Sequence, residues 1–198
     1  MILAAITTHK RRPEMVGRAL RSVIAQTFTD WNCVVVDDSP ADWPLRDDVR
    51  KMVEGYARQD SRIRYVAHGR NYGAQRARNT ALSIANNTHG GGGYDEYIGY
   101  LDDDDEWLPE KLEKMYARFQ ECGEDTGLVY CRGFSVCQDP RTGKEYLIRG
   151  KPRPSFEGNV YGRMMLGDFV GTFSNPLMRT KYLVQAGGMD ENVVNRDD

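Results

Sequence analysis

Four short runs of strand character, at residues 2–6, 33–36, 63–67 and 97–101, are each followed by a segment whose apolar side chains recur at helical spacing. The first, second and fourth runs are almost wholly apolar, as strands covered on both faces must be. After Pro13, which suits the first turn of a helix, Val16, Ala19, Leu20, Val23 and Ile24 share one helical face. Val49, Met52, Val53 and Tyr56 do the same, as do Ala74, Ala77, Ala81 and Leu82, and then Leu112, Met115, Tyr116 and Phe119. Strand and helix alternating four times predict an α/β fold: an open, mostly parallel sheet flanked by helices. A further strand begins at residues 128–131. Beyond Phe134 the pattern loosens into Gly-, Pro- and Arg-rich stretches with one helix near residues 179–186. At 198 residues the chain is one domain. Residues 1–134 form its ligand-binding half, and residues 135–198 are expected to close over the crevice as an extension.

Ligands of such sheets sit beyond the carboxyl ends of the strands. The segments leaving those ends are Thr7-Thr8, Asp37-Asp38 and residues 102–105, so three polar endings converge. In the last, a strand drives into four consecutive aspartates, followed by Glu106, Trp107, Leu108 and Pro109. Side chains two apart on an extended segment point the same way, so Asp102 and Asp104 are placed to share one divalent cation while Asp103 faces the other side. Hard oxygen ligands suit Mg²⁺ or Mn²⁺. A bare acidic run is usually a solvated loop. Here the strand on one side and Trp107-Leu108-Pro109 on the other anchor the carboxylates. Asp37-Asp38 also reads as a turn or cap pair, since aspartate stabilises turns through nearby backbone.

A net charge of −2 gives no electrostatic case for nucleic acid. Lys10-Arg11-Arg12 and Arg76 with Arg78 are clusters suited to a phosphate rather than a duplex. Cys33, Cys122, Cys131 and Cys137 lack the spacing of a zinc site or a disulfide framework, which predicts reduced thiols in a cytoplasmic protein. His9, His68 and His89 are too scattered for a metal triad. The glycines at 90–93 lack the Gly-Lys-Ser/Thr of a phosphate loop and read as a linker. No apolar run approaches the length of a membrane span.

Four motifs in order carry a resemblance: Val35-Val36-Asp37-Asp38-Ser39, Gly73 with Ala77-Arg78-Asn79, the run from Leu101 through the aspartates to Pro109, and Ala186-Gly187-Gly188-Met189-Asp190-Glu191. Together the chain resembles an inverting glycosyltransferase of family 2 with the GT-A nucleotide-sugar fold. The resemblance implies a nucleoside diphosphate sugar donor, with UDP favoured, held by Thr7, Thr8, Asp38, Arg78, Asp102 and Asp103. Thr8 and Asp38 would hold base and ribose, the carboxylate accepting a uracil-type ring N–H. Arg78 would favour the diphosphate, Asp102 the ribose or the metal, and Asp104 would be the direct ligand of Mn²⁺ or Mg²⁺. Trp107 and Pro109 would be structural. The general base would be an aspartate shortly after the Gly-Gly-x-Asp-Glu segment, Asp198 in preference to Asp197, with Asp190 and Glu191 shaping the loop. The acceptor would be a hydroxyl of a growing polysaccharide or lipid-linked glycan, and the protein would work in the cytoplasm, at the inner face of the membrane.

The chain departs from the family in three places. The helix that follows the base has no counterpart before Asp198, which predicts a truncated C-terminal side. Ser39-Pro40 replaces a common Gly-Ser pair, and Lys10-Arg11-Arg12 stands where uncharged residues are frequent. Two other enzyme classes lack their signatures: no Gly-x-Gly-x-Arg of a nucleotidyltransferase and no Gly-x-Gly-x-x-Gly of a dinucleotide-binding enzyme follows the first strand. A non-catalytic nucleotide-sugar-binding domain is the other alternative.

Overall fold

The computed structural model describes residues 1–87, 95–148 and 155–193. Its elements run β1 (Ile2–Thr8), α1 (Pro13–Ile24), β2 (Trp31–Asp37), α2 (Arg46–Ala57), β3 (Ile63–Ala67), α3 (Ala74–Asn87), β4 (Tyr97–Asp102), α4 (Lys111–Cys122), β5 (Leu128–Tyr130), β6 (Ser135–Gln138), β7 (Glu145–Ile148), α5 (Tyr161–Met164), β8 (Pro176–Arg179) and α6 (Thr180–Gln185). Six strands form one sheet in the order β3-β2-β1-β4-β8-β5. The neighbours within β1 to β4 pair in parallel, whereas β8 runs antiparallel to both β4 and β5.

The apolar runs are explained by two cores, one on each face of the sheet. Ile2, Ala4 and Ile6 of β1 pack with residues of α1, α2 and α4. Leu3 and Ala5, pointing the other way, pack with Ala77, Ala81, Leu82 and Ala85 of α3. Tyr97, Tyr100 and Phe119 are fully buried. Full burial of one large apolar side chain is worth about 1.5–3 kcal/mol, against about 0–1 for an exposed ion pair. The layers, rather than the surface charges, therefore hold the fold.

Residues 135–198 do more than extend the domain on one side. β8 enters the main sheet beside β4, with Tyr97 opposite Arg179, Ile98 opposite Met178 and Gly99 opposite Leu177. Their other strands, β6 and β7, pair with each other in a second, two-stranded sheet. The glycine run at 90–93 and His89 lie outside the described residues, as do Asp197 and Asp198.

Candidate active site

Parallel pairing carries three strand ends to one edge. Thr7 stands beside Asp102 and Thr8 beside Asp37, and the Asp38 amide donates to the Thr8 carbonyl at 2.9 Å. The β1–α1 loop is pinned to this edge. The Lys10 amide donates to Ser39 Oγ at 2.8 Å, and His9 Nδ1 lies 3.0 Å from the Asp38 carbonyl. Lys10 takes a φ of 52°, a conformation that costs energy outside glycine and persists only where its surroundings enforce it.

Asp37 and Asp38 divide the two tasks open to them. Asp37 closes a turn by accepting the Ser39 amide at 2.8 Å, and it also accepts the Tyr65 hydroxyl at 2.7 Å. Burial is the main reason the Tyr65 phenol is raised well above its ordinary pKa. Asp38, only 3% exposed, accepts the amides of Tyr72 and Gly73 and faces His68 Nδ1 at 2.7 Å. The other ring nitrogen of His68 lies 2.9 Å from Thr80 Oγ1. Asp38 thus fixes the turn into α3, where Gly73 takes a φ of 94°. This positioning task, and His68 with it, left no signal in the sequence beyond the Asn71-Tyr72-Gly73 turn residues.

The acidic run is not an extended segment throughout. β4 ends at Asp102, and Asp103 and Asp104 lie in a turn. The alternation expected for Asp102, Asp103 and Asp104 therefore fails after its first member: Asp103 does not face away from Asp104. One guanidinium reaches both, with Arg11 Nε donating to Asp103 Oδ1 at 2.9 Å and Nη2 to Asp104 Oδ2 at 3.0 Å. Arg18 Nη2 donates to the Asp104 carbonyl at 3.1 Å and its Nε lies 3.0 Å from Glu106 Oε1. Asp102 is served separately by Arg78, whose Nη2 lies 3.4 Å from Oδ1 and whose guanidinium stacks 3.9 Å over Phe173. Burial raises the carboxyl pKa of Asp102 against the opposing pull of Arg78. It raises that of Asp103 against the opposing charge of Arg11.

Trp107 and Ser174 brace this turn. The Trp107 amide donates to Ser22 Oγ at 3.0 Å and its Nε1 to the Ser174 carbonyl at 2.9 Å, while Ser174 Oγ accepts the Asp102 amide at 3.0 Å. Ser174 and Phe173 precede β8, in a stretch without periodicity, so their part in the site could not be read from spacing. On the far side of α3, Asn79 accepts the Met189 amide at 2.8 Å and donates to its carbonyl at 2.9 Å. Glu191 pairs there with Asn79 and Arg76. Arg76 is thereby engaged by Glu191, and Asn79 by the Met189 backbone.

The carboxylate oxygens here are of the hard kind that divalent cations such as Mg²⁺ take. Asp102 Oδ2 and Asp104 Oδ1 accept no hydrogen bond among the described residues, and no three His, Cys, Asp or Glu side chains there form a cage of their own. Such ions are commonly bound by one or two carboxylates, with water and phosphate oxygens completing the shell.

Residues 4–183 match the family described as glycosyl transferase family 2. The chain belongs to that family. It is 29% identical over 164 residues to WcaA of Escherichia coli (strain K12), named for colanic acid biosynthesis, covering 82% of this chain and 53% of the relative. It is 34% identical over 102 residues to WfgD of Escherichia coli, a UDP-Glc:alpha-D-GlcNAc-diphosphoundecaprenol beta-1,3-glucosyltransferase, covering 52% of this chain and 34% of that one. Among solved structures, S. aureus TarS 1-349 in complex with UDP shares the fold, with a TM-score of 0.68 at 20% identity over 99% of this chain and 52% of that one. The chain therefore spans about half, or less, of the length of these relatives. Within the family 2 domain, the converging strand ends and the GT-A layering agree with the expectations from sequence.

Proposed function

We propose that this family 2 glycosyltransferase moves a sugar from a UDP-sugar to a hydroxyl of a glycan or lipid-linked acceptor, with metal assistance and inversion at the anomeric carbon. One observation carries the reading: Thr8, Asp38, the Asp102–Asp104 turn, Arg78 and Arg11 stand along one carboxyl edge of a parallel sheet. The name of WfgD, which specifies UDP-Glc and a diphosphoundecaprenol-linked acceptor, and the solved complex of TarS with UDP support the choice of donor and acceptor class.

In this reading the acceptor oxygen attacks the anomeric carbon from the face opposite the diphosphate. The old carbon–oxygen bond breaks with its electron pair passing to the diphosphate, and the acceptor proton passes to a carboxylate base. That base is assigned to Asp198, with Asp197 the second choice. Arg78, its guanidinium 3.9 Å over the Phe173 ring, would present its positive charge to the diphosphate. Asp38 is assigned to the ring N–H of uracil, which would join the Tyr72 and Gly73 amides on Oδ2. Asp104 and Asp102 would hold Mn²⁺ or Mg²⁺, which when bound stabilises negative charge growing on the leaving group. A lipid-linked acceptor places the working protein at the inner face of the membrane as a peripheral protein. No helix of the described residues is long and apolar enough to cross it.

The test is transfer by the full-length protein from labelled UDP-sugars, offered singly with a polyprenyl-diphosphate-linked glycan, the product's anomeric configuration being read by NMR. Inverted product is expected. UDP binding without transfer from any donor would reduce the protein to a binding domain, and retained configuration would refute inversion.

A further inference from the structure

The Arg11 guanidinium spans the side chains of two successive aspartates, Asp103 and Asp104. The two halves of this contact differ. Asp103 is nearly buried at 7% side-chain exposure, whereas Asp104 at 44% and Arg11 at 43% are open to solvent. The exposed half is screened and weak. Two features keep the site assembled when that half opens. The backbone entering Arg11 is fixed by the Lys10 amide on Ser39 and by the φ of 52° at Lys10, and Arg18 holds the Asp104 carbonyl independently.

We propose that Arg11 is a resident counter-ion of Asp104 that gives way to a divalent cation and then binds the donor's diphosphate, making it a positioning residue for the nucleotide-sugar. The proposal rests on the function given above. A guanidinium matches two phosphate oxygens as well as it matches two carboxylates. When a cation takes Asp104, the Nη2 released from Oδ2 is left beside the edge that must receive the phosphates, while Nε stays on Asp103. Arg11 therefore opposes metal in the empty protein and favours nucleotide in the loaded one.

These opposite signs separate a transferring cation from one that merely holds the turn. Mn²⁺ binding to the protein alone is measured by paramagnetic resonance of the free ion, and UDP binding in saturating Mn²⁺ by calorimetry. Arg11→Gln is expected to bind Mn²⁺ severalfold more tightly than the parent and UDP about tenfold more weakly, the loss of one charge-assisted hydrogen bond. Arg12→Gln, a neighbouring charge with no part in the site, is expected to match the parent in both. Arg11→Lys keeps the charge without the fork and serves if the glutamine variant fails to fold; it is expected to leave Mn²⁺ binding unchanged and weaken UDP severalfold.

Unchanged UDP affinity in the Arg11 variants would overturn the proposal. So would weaker binding of Mn²⁺ and UDP together in Arg11→Gln, or the same changes in Arg12→Gln. A parent that binds no UDP at all would refute the function itself, and this inference with it.

Discussion

Asp102 and Asp103 carry carboxyl groups raised above the usual carboxylate range, chiefly because burial disfavours their charged forms. A carboxyl raised on folding favours the folded state in acid, and that contribution is lost as pH climbs through the raised value. Asp102→Asn is therefore expected to raise the melting temperature in mildly alkaline buffer, with the gain shrinking as the pH is lowered. Thermal denaturation across pH tests this, and destabilisation at every pH would mean that the Arg78 pairing outweighs burial. Asp38→Ala is expected to lower stability by about 1–3 kcal/mol for each buried donor left unpaired, because Tyr72, Gly73 and His68 all lean on it. It should also weaken UDP more than free diphosphate in calorimetry. Equal losses for both ligands would restrict Asp38 to positioning the turn. At this scale the sequence revealed which carboxylates converge but not their partners. Alternation along a strand says nothing once the strand has ended, as it does after Asp102.

The braces of the site are elements that periodicity marks poorly. β8 is four residues long, begins with Pro176 and ends with the buried Arg179, so neither length nor pattern announces a strand in the middle of a sheet. Arg179 is accommodated by Glu96, the Tyr97 hydroxyl and the Gly123 and Thr126 carbonyls, partners drawn from distant segments. The contact between β4, β8 and the Trp107 loop is tight at Gly99, where a Cβ would meet Trp107 Cη2 at 3.0 Å and Leu177 Cδ1 at 3.3 Å. Gly99→Ala is accordingly expected to cost about 1–3 kcal/mol of stability as an overpacked core. It should also weaken UDP binding by displacing Trp107 from under the acidic turn. Denaturant titration checks the first effect and calorimetry the second; an unperturbed variant would mean that Trp107 does not set the turn. Asn79 fastens the Gly187–Gly188 turn to α3, and at Gly188 a Cβ would lie 2.7 Å from Asn79 Oδ1. Asn79→Ala is expected to speed hydrogen exchange of the Met189 amide, and unchanged exchange would show that the turn is held by other contacts.

For the molecule as a whole, four strand–helix repeats were enough to give the parallel half of the sheet and the edge on which the candidate site lies, because a strand buried on both faces and its covering helix leave separate periods in the sequence. The order β3-β2-β1-β4-β8-β5 was not available from those periods, since the antiparallel β8 comes from beyond residue 134. That topology lets one chain place the proposed nucleotide contacts on β1 and just after β2, the acidic turn after β4 and its Ser174 brace from the segment entering β8, while the base assigned to Asp198 lies outside the described residues. Asp198→Asn in the full-length protein is expected to abolish transfer while leaving UDP affinity near the parent's, and full turnover would move the search for the base to Asp190 and Glu191. The central claim, that the acidic turn holds a cation for a nucleoside diphosphate, is tested most directly by calorimetric titration of UDP with and without Mn²⁺ into the parent and into Asp104→Asn. The account predicts that Mn²⁺ strengthens UDP binding in the parent and has no such effect in the folded variant; equal metal dependence in the two would contradict it.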